Sequence, residues 1–210
     1  MNILVTGVDG YIGTVLADYL IRRGHAITGL DTGFYRDGWL YNEQALQRPP
    51  CISKDLRQIT EADLRGFGAV VHLAELSNDP LGQHNPELTY AINHCGTVAL
   101  ATKCKHAGVP RFVYTSSCSV YGTGSGEFKT EESETNPQTA YARCKVLVER
   151  DLSAMADDDF SPTFLRNATE QRSQIDINES LFRTINELIR EMKDMESEIN
   201  RLRRATNRRF

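Results

Sequence analysis

Tyr141 and Lys145 stand four residues apart in the stretch YARCK, a spacing that puts both side chains on one face of a helix. An ammonium beside a phenol stabilises tyrosinate and lowers the phenol's pKa, which makes the tyrosine a usable general base near neutral pH. Such a pair is common by chance, and its meaning comes from what precedes it. Upstream, TSSCSVYG places Ser116 and Ser117 at the end of an apolar run. A serine hydroxyl at a strand's carboxyl end, where doubly wound sheets bind ligands, can share a hydrogen bond with a substrate oxygen and with Tyr141.

A second constellation opens the chain. TGVDGYIG joins the first apolar run to the first helical pattern. Gly7 permits a tight turn, Gly10 lets the backbone approach a pyrophosphate, and Gly13 permits close packing of helix on sheet. The helix start offers free amides and the positive end of its dipole to phosphate. Asp31 ends the second apolar run about 20 residues on, as ribose recognition requires. A carboxylate there accepts from a 2′-hydroxyl and repels a 2′-phosphate, which favours NAD over NADP. The other reading of Asp31 is a cap on the turn that follows it.

These groups need a frame. Apolar runs at Ile3–Val5, Ala26–Leu30, Cys51–Ile52, Ala69–Leu73, Arg111–Thr115 and Thr163–Leu165 alternate with helical patterns. Ile12, Val15, Leu16 and Leu20 recur at helical spacing before Gly24, and another helix covers Thr139–Ala156. A long helix runs from Asn85-Pro86 to Gly108, with Leu88, Ala91, Ile92, Cys95 and Ala99 as its expected inner stripe. Alternation of this kind predicts an α/β fold with a doubly wound parallel sheet, since parallel strands need crossover helices.

TGxxGxxG, Asp31, KDL at Lys54–Leu56, HLAE at His72–Glu75, TSSCSVYG and YxxxK follow one another in the order of the extended short-chain dehydrogenase/reductases. Over residues 1–169 the chain resembles their NAD-dependent epimerase/dehydratase branch and is similar to nucleotide-sugar 4-epimerases. The resemblance implies a Rossmann-type domain with Gly7, Gly10, Tyr11, Ile12 and Gly13 on the NAD pyrophosphate and Asp31 on the adenosine ribose. Asp55 and Leu56 would flank adenine, Leu73, Ala74 and Glu75 would line the other ribose, and Asn93 would reach toward it. Ser117, Tyr141 and Lys145 would be catalytic, with Lys145 also holding the nicotinamide ribose. Sugar dehydratases of the family carry an Asp-Glu pair just after the catalytic serine or threonine. Here those positions are Cys118 and Ser119, so epimerase or oxidoreductase chemistry on a nucleotide-activated sugar is expected. Cys118 reads either as a small strand-end residue or as a nucleophile.

From Glu170 the composition changes. Leu181, Ile185, Leu188, Met192, Met195, Ile199 and Leu202 form an a/d seam, widened by Phe182 and Ile189. Residues 170–210 are therefore expected to be a heptad-patterned helix in place of the family's substrate region. Three readings of it stand: homo-oligomerisation through residues 175–202, packing back on the chain's own domain, or a frayed single helix. Loss of substrate contacts would weaken turnover, so the alternative function is a catalytically poor NAD-binding module assembled by its helix.

The formal net charge of -4 over 210 residues asks for neither nucleic acid nor a membrane surface as partner. RLRRATNRRF is basic, but no groove-reading motif accompanies it. Five cysteines without C-x-x-C suit a reducing compartment. MNILVTG does not read as a signal peptide, and no apolar run approaches the ~18 residues of a membrane span. A cytoplasmic location is the expectation. His72, His84 and His94 lack metal-ligand spacing.

Overall fold

The computed structural model describes residues 1–34, 46–77, 82, 84–122, 129–167 and 185. The heptad seam therefore lies outside the described residues apart from Ile185, as does part of the polar stretch from Gly122 to Pro137. The chain divides into a compact unit, Met1–Glu170, and a second, Gln171–Phe210. The first carries every element named here.

Six parallel strands form one sheet: β1 (Asn2–Thr6), β2 (Ala26–Asp31), β3 (Cys51–Ser53), β4 (Ala69–His72), β5 (Arg111–Ser117) and β6 (Ser161–Asn167). Their spatial order is β3-β2-β1-β4-β5-β6, which reverses direction between β1 and β4 and opens a crevice there. The fold is a Rossmann-type α/β sheet, as the strand-helix alternation requires. Ile3, Leu4 and Val5 of β1 and Ala69, Val70 and Val71 of β4 are fully buried, which fits central strands covered on both faces.

The connections are α1 (Tyr11–Arg22), α2 (Glu61–Leu64), α3 (Pro86–Thr89), α4 (Thr97–His106) and α5 (Ala140–Met155). Thr139 caps α5 by accepting the Ala142 amide at 3.1 Å, and Asn85 caps α3 by accepting that of Leu88 at 3.0 Å. Among the described residues no helix is long and apolar enough to cross a membrane.

One expectation fails. The helix from Pro86 to His106 is continuous, but Tyr90–Gly96 is a π-helical segment between α3 and α4. Each i→i+5 turn takes in an extra residue and rotates the faces. Thr89, Asn93, Gly96, Thr97, Leu100, Ala101 and Cys104 are the buried positions. Leu88, Cys95 and Ala99 of the expected stripe are exposed, while Ala91 and Ile92 are half-buried. Gly96 faces Leu56, whose Cδ1 would lie 2.7 Å from a Cβ at that position.

Candidate active site

The residues singled out from the sequence gather along the carboxyl edge of the sheet. Gly7 follows β1, Asp31 ends β2, Asp55 follows β3, Leu73 follows β4 and Ser117 ends β5. A parallel sheet makes this inevitable once each residue sits at its strand's end.

The glycine turn is built for close approach. Gly7 has φ 71°, and a Cβ there would lie 2.9 Å from the Ala74 nitrogen. A Cβ on Gly13 would come within 2.0 Å of the Gly7 carbonyl oxygen, so α1 rests directly on the turn. The first in-helix bond of this turn runs from the Thr14 amide to the Gly10 carbonyl at 3.0 Å. The helix-start amides at Tyr11, Ile12 and Gly13 thus precede the ladder and face outward from it. Asp31 accepts the Asp9 amide at 3.0 Å and the Gly33 amide at 2.8 Å, one on each carboxylate oxygen. It ties the glycine turn to β2 and keeps a second lone pair on each oxygen for a hydroxyl. The buried Asp9 carboxylate is matched by Arg48 at 3.0 Å. A cradle that any side chain would fill, an amide-rich helix start and a carboxylate at the next strand end fit the diphosphate and adenosine ribose of a dinucleotide.

Thr6 and His72 lock β1 to β4. The Thr6 hydroxyl accepts the amides of Leu73 (3.1 Å) and Ala74 (3.2 Å), which occupy both lone pairs. Its proton must then go to His72 Nδ1, 2.6 Å away. His72 is therefore the neutral Nε2–H tautomer, and it donates to Thr97 Oγ1 at 2.8 Å. Burial holds its pKa down at about 3, reinforced by the charge of Lys145. Among the described residues no cluster of three ligand-type side chains could hold a metal.

Ser117, Tyr141 and Lys145 lie on the other side of the crevice. Ser117 ends β5 and caps the short 3₁₀ turn Cys118–Tyr121, its hydroxyl accepting the Ser119 amide at 3.2 Å. Tyr141 and Lys145 occupy successive turns of α5, and the Lys145 ammonium stands 5.1 Å from the Tyr141 ring centroid. Burial pushes the Tyr141 phenol above its ordinary pKa. Lys145 opposes that push, Glu75 adds to it, and Ser117 lowers it. Lys145 is almost wholly buried, donates to the Thr115 carbonyl and pairs with the Glu75 carboxylate. A phenol flanked by a hydroxyl and an ammonium can receive and return a proton.

Other residues take different places. Asn93 grips the backbone of Leu76, and the Glu75 carboxylate reaches Lys145 of α5. Asp55 caps the 3₁₀ turn Leu56–Gln58 and forms an ion pair with Arg57, whose hydrogen bond holds its pKa below the usual carboxylate value. Cys118 is half-buried in its 3₁₀ turn, while burial pushes Cys144, on α5, up to about 12. Thr6 and Tyr114 were missed by sequence reasoning. A threonine immediately before the first glycine is the one signal that could have found Thr6; Tyr114 reads from sequence as ordinary strand.

The pattern of the NAD-dependent epimerase/dehydratase family matches residues 3–209. A UDP-glucose 4-epimerase of Mycolicibacterium smegmatis is 35% identical over 156 residues, covering 71% of this chain and 49% of the relative. Among solved structures, a UDP-glucose 4-epimerase from Stenotrophomonas maltophila, with bound NAD and formylated UDP-arabinopyranose, superposes with a TM-score of 0.71 at 28% identity. The match covers 79% of this chain and 52% of that one. An NAD-dependent NDP-hexosamine 5,6-dehydratase of tunicamycin biosynthesis gives a TM-score of 0.70 at 30% identity, covering 79% and 54%. The chain spans about half the length of the relatives it matches. It belongs to the NAD-dependent epimerase/dehydratase family.

Proposed function

We propose that the chain binds NAD and carries the acid–base half of an epimerase or oxidoreductase acting on a nucleotide-activated sugar. The observation that carries this reading is the convergence of Ser117, Tyr141 and Lys145 at the carboxyl edge, across the crevice from an amide-lined glycine turn. Gly7, Gly10, Tyr11, Ile12 and Gly13 would hold the diphosphate, and Asp31 the adenosine ribose. Asp55 and Leu56 would stand near adenine, with Leu73, Ala74 and Glu75 by the second ribose. Bound NAD would supply the hydride acceptor. Ser117 orients a sugar hydroxyl, Tyr141 takes its proton, and Lys145 stabilises the phenolate that prepares for it. Asn93 acts at one remove, by holding the turn that carries Glu75.

A second reading has its own observation. Lys145 is already engaged by Glu75 and Thr115, which suits an NAD-binding module of low turnover. Assays with UDP- and dTDP-hexoses plus NAD separate the two. Turnover abolished in Tyr141→Phe supports the enzyme, while turnover unchanged by that substitution removes Tyr141 from the mechanism. The homo-oligomer formed through residues 175–202 is part of the proposal, and light scattering on Leu188→Asp/Met192→Asp tests it.

A further inference from the structure

The exit of β4 is pinned on both sides of one residue. Thr6 holds the amides of Leu73 and Ala74. One residue beyond Glu75, Asn93 accepts the Leu76 amide and donates to the Leu76 carbonyl. Gly7 closes the turn from below, with no room for a Cβ against Ala74. The side chain between these clamps has little freedom, and it is only 4% exposed. One carboxylate oxygen accepts from the Tyr114 hydroxyl at 2.7 Å, and the other meets the Lys145 ammonium. Lys145 also lies over the Tyr114 ring, 4.5 Å from its centroid. The ammonium is thus drawn toward the sheet by a fixed anion, one helical turn from the phenol whose charge it would stabilise.

We infer that Glu75 is a positioning residue that governs when Tyr141 can ionise: by its own charge, and by anchoring and neutralising Lys145, it holds the phenol in its protonated, proton-donating form. Among the described residues the groups that act on the Tyr141 hydroxyl are few. From α5 comes Lys145, from the β4 exit Glu75, and from β5 Ser117, with Tyr114 coupled to it as well. Of these Glu75 is the one carboxylate, paired with the Lys145 ammonium, while burial pushes the Tyr114 phenol up and keeps it neutral. A buried carboxylate a few ångströms from an ammonium cancels most of its field at a third group. The consequence is a site set toward protonating an oxygen, with base strength restored when Lys145 is drawn off Glu75.

The inference rests on Tyr141 as the acid–base group, yet its test does not depend on NAD binding or sugar turnover. Ultraviolet absorbance follows tyrosine ionisation in the full chain, and subtraction of the Tyr141→Phe curve isolates one phenol among eight tyrosines. Glu75→Gln keeps the shape and an acceptor for Tyr114 but removes the charge; the Tyr141 midpoint should fall to lower pH. Because Glu75→Gln alone would leave a buried ammonium without its carboxylate partner, the same change is also made in Lys145→Met. There the buried pair is removed whole, a replacement that folds tolerate well, and the midpoint should again fall relative to Lys145→Met alone. A fall in either background supports the assignment. A midpoint unmoved or raised in both overturns it.

Discussion

Asn93 holds the backbone of Leu76 at two points: its Oδ1 accepts the Leu76 amide at 2.8 Å, and its Nδ2 donates to the Leu76 carbonyl at 2.9 Å. The amide side chain reaches there because the π-helical segment turns a fully buried asparagine toward the β4 exit. Asn93→Ala leaves both backbone groups without that partner, at about 1–3 kcal/mol each. Urea unfolding should show a loss of about 2 kcal/mol or more, and loss of both bonds should loosen the turn that carries Glu75.

His72 makes the protein sensitive to acid. Its folded pKa is held at about 3, below the unfolded value of about 6.5. The unfolded chain therefore binds the proton first, so the contribution is fully present above about pH 6.5 and is lost as pH falls toward about 3. The full span is on the order of 5 kcal/mol. Unfolding free energies measured from about pH 7 to about pH 4 should fall more steeply in the parent than in His72→Gln, by close to one proton in slope.

The rotated phase of the long helix makes two leucines unequal. Leu100 is fully buried and Leu88 is 41% exposed. Leu100→Ala should cost about 2–5 kcal/mol, and Leu88→Ala should stay within about 0.5 kcal/mol of the parent. Denaturant midpoints of the two variants check the order directly.

Gly13 couples folding to ligand approach. A Cβ at residue 13 would overlap the Gly7 carbonyl, a rigid backbone atom, at 2.0 Å. Gly13→Ala should push α1 off the glycine turn, lower the melting temperature and remove any stabilisation by NAD. Gly24, with nothing within 4 Å of a Cβ but a φ of 81°, should lose only stability when replaced by Ala. Melting curves of the two variants with and without NAD check the difference.

Much of this was legible before the structure. Apolar runs located every strand, because central strands covered on both faces are mostly apolar, with hydrogen-bonded exceptions such as Thr6 and His72, and TGVDGYIG and Asp31 located the crevice. Residues 86–108 misled because a π turn changes the helical period without a local signature. The buried face is then carried in part by Thr89, Asn93 and Thr97, polar residues satisfied by hydrogen bonds that no spacing announces. Glu75 was legible as a residue near the crevice, but its partners were not. They depend on how β4, β5 and α5 converge, and no spacing records that. The tail's seam is a pattern outside the described residues, apart from Ile185.

The most direct measurement is thermal melting with and without excess NAD, for the parent and for Asp31→Ala. A ligand bound only by the folded state at ~100 times its dissociation constant adds about 2.7 kcal/mol. The account predicts a higher melting temperature with NAD in the parent and little or no shift in Asp31→Ala. A cooperative parent melt that NAD leaves unmoved would contradict it.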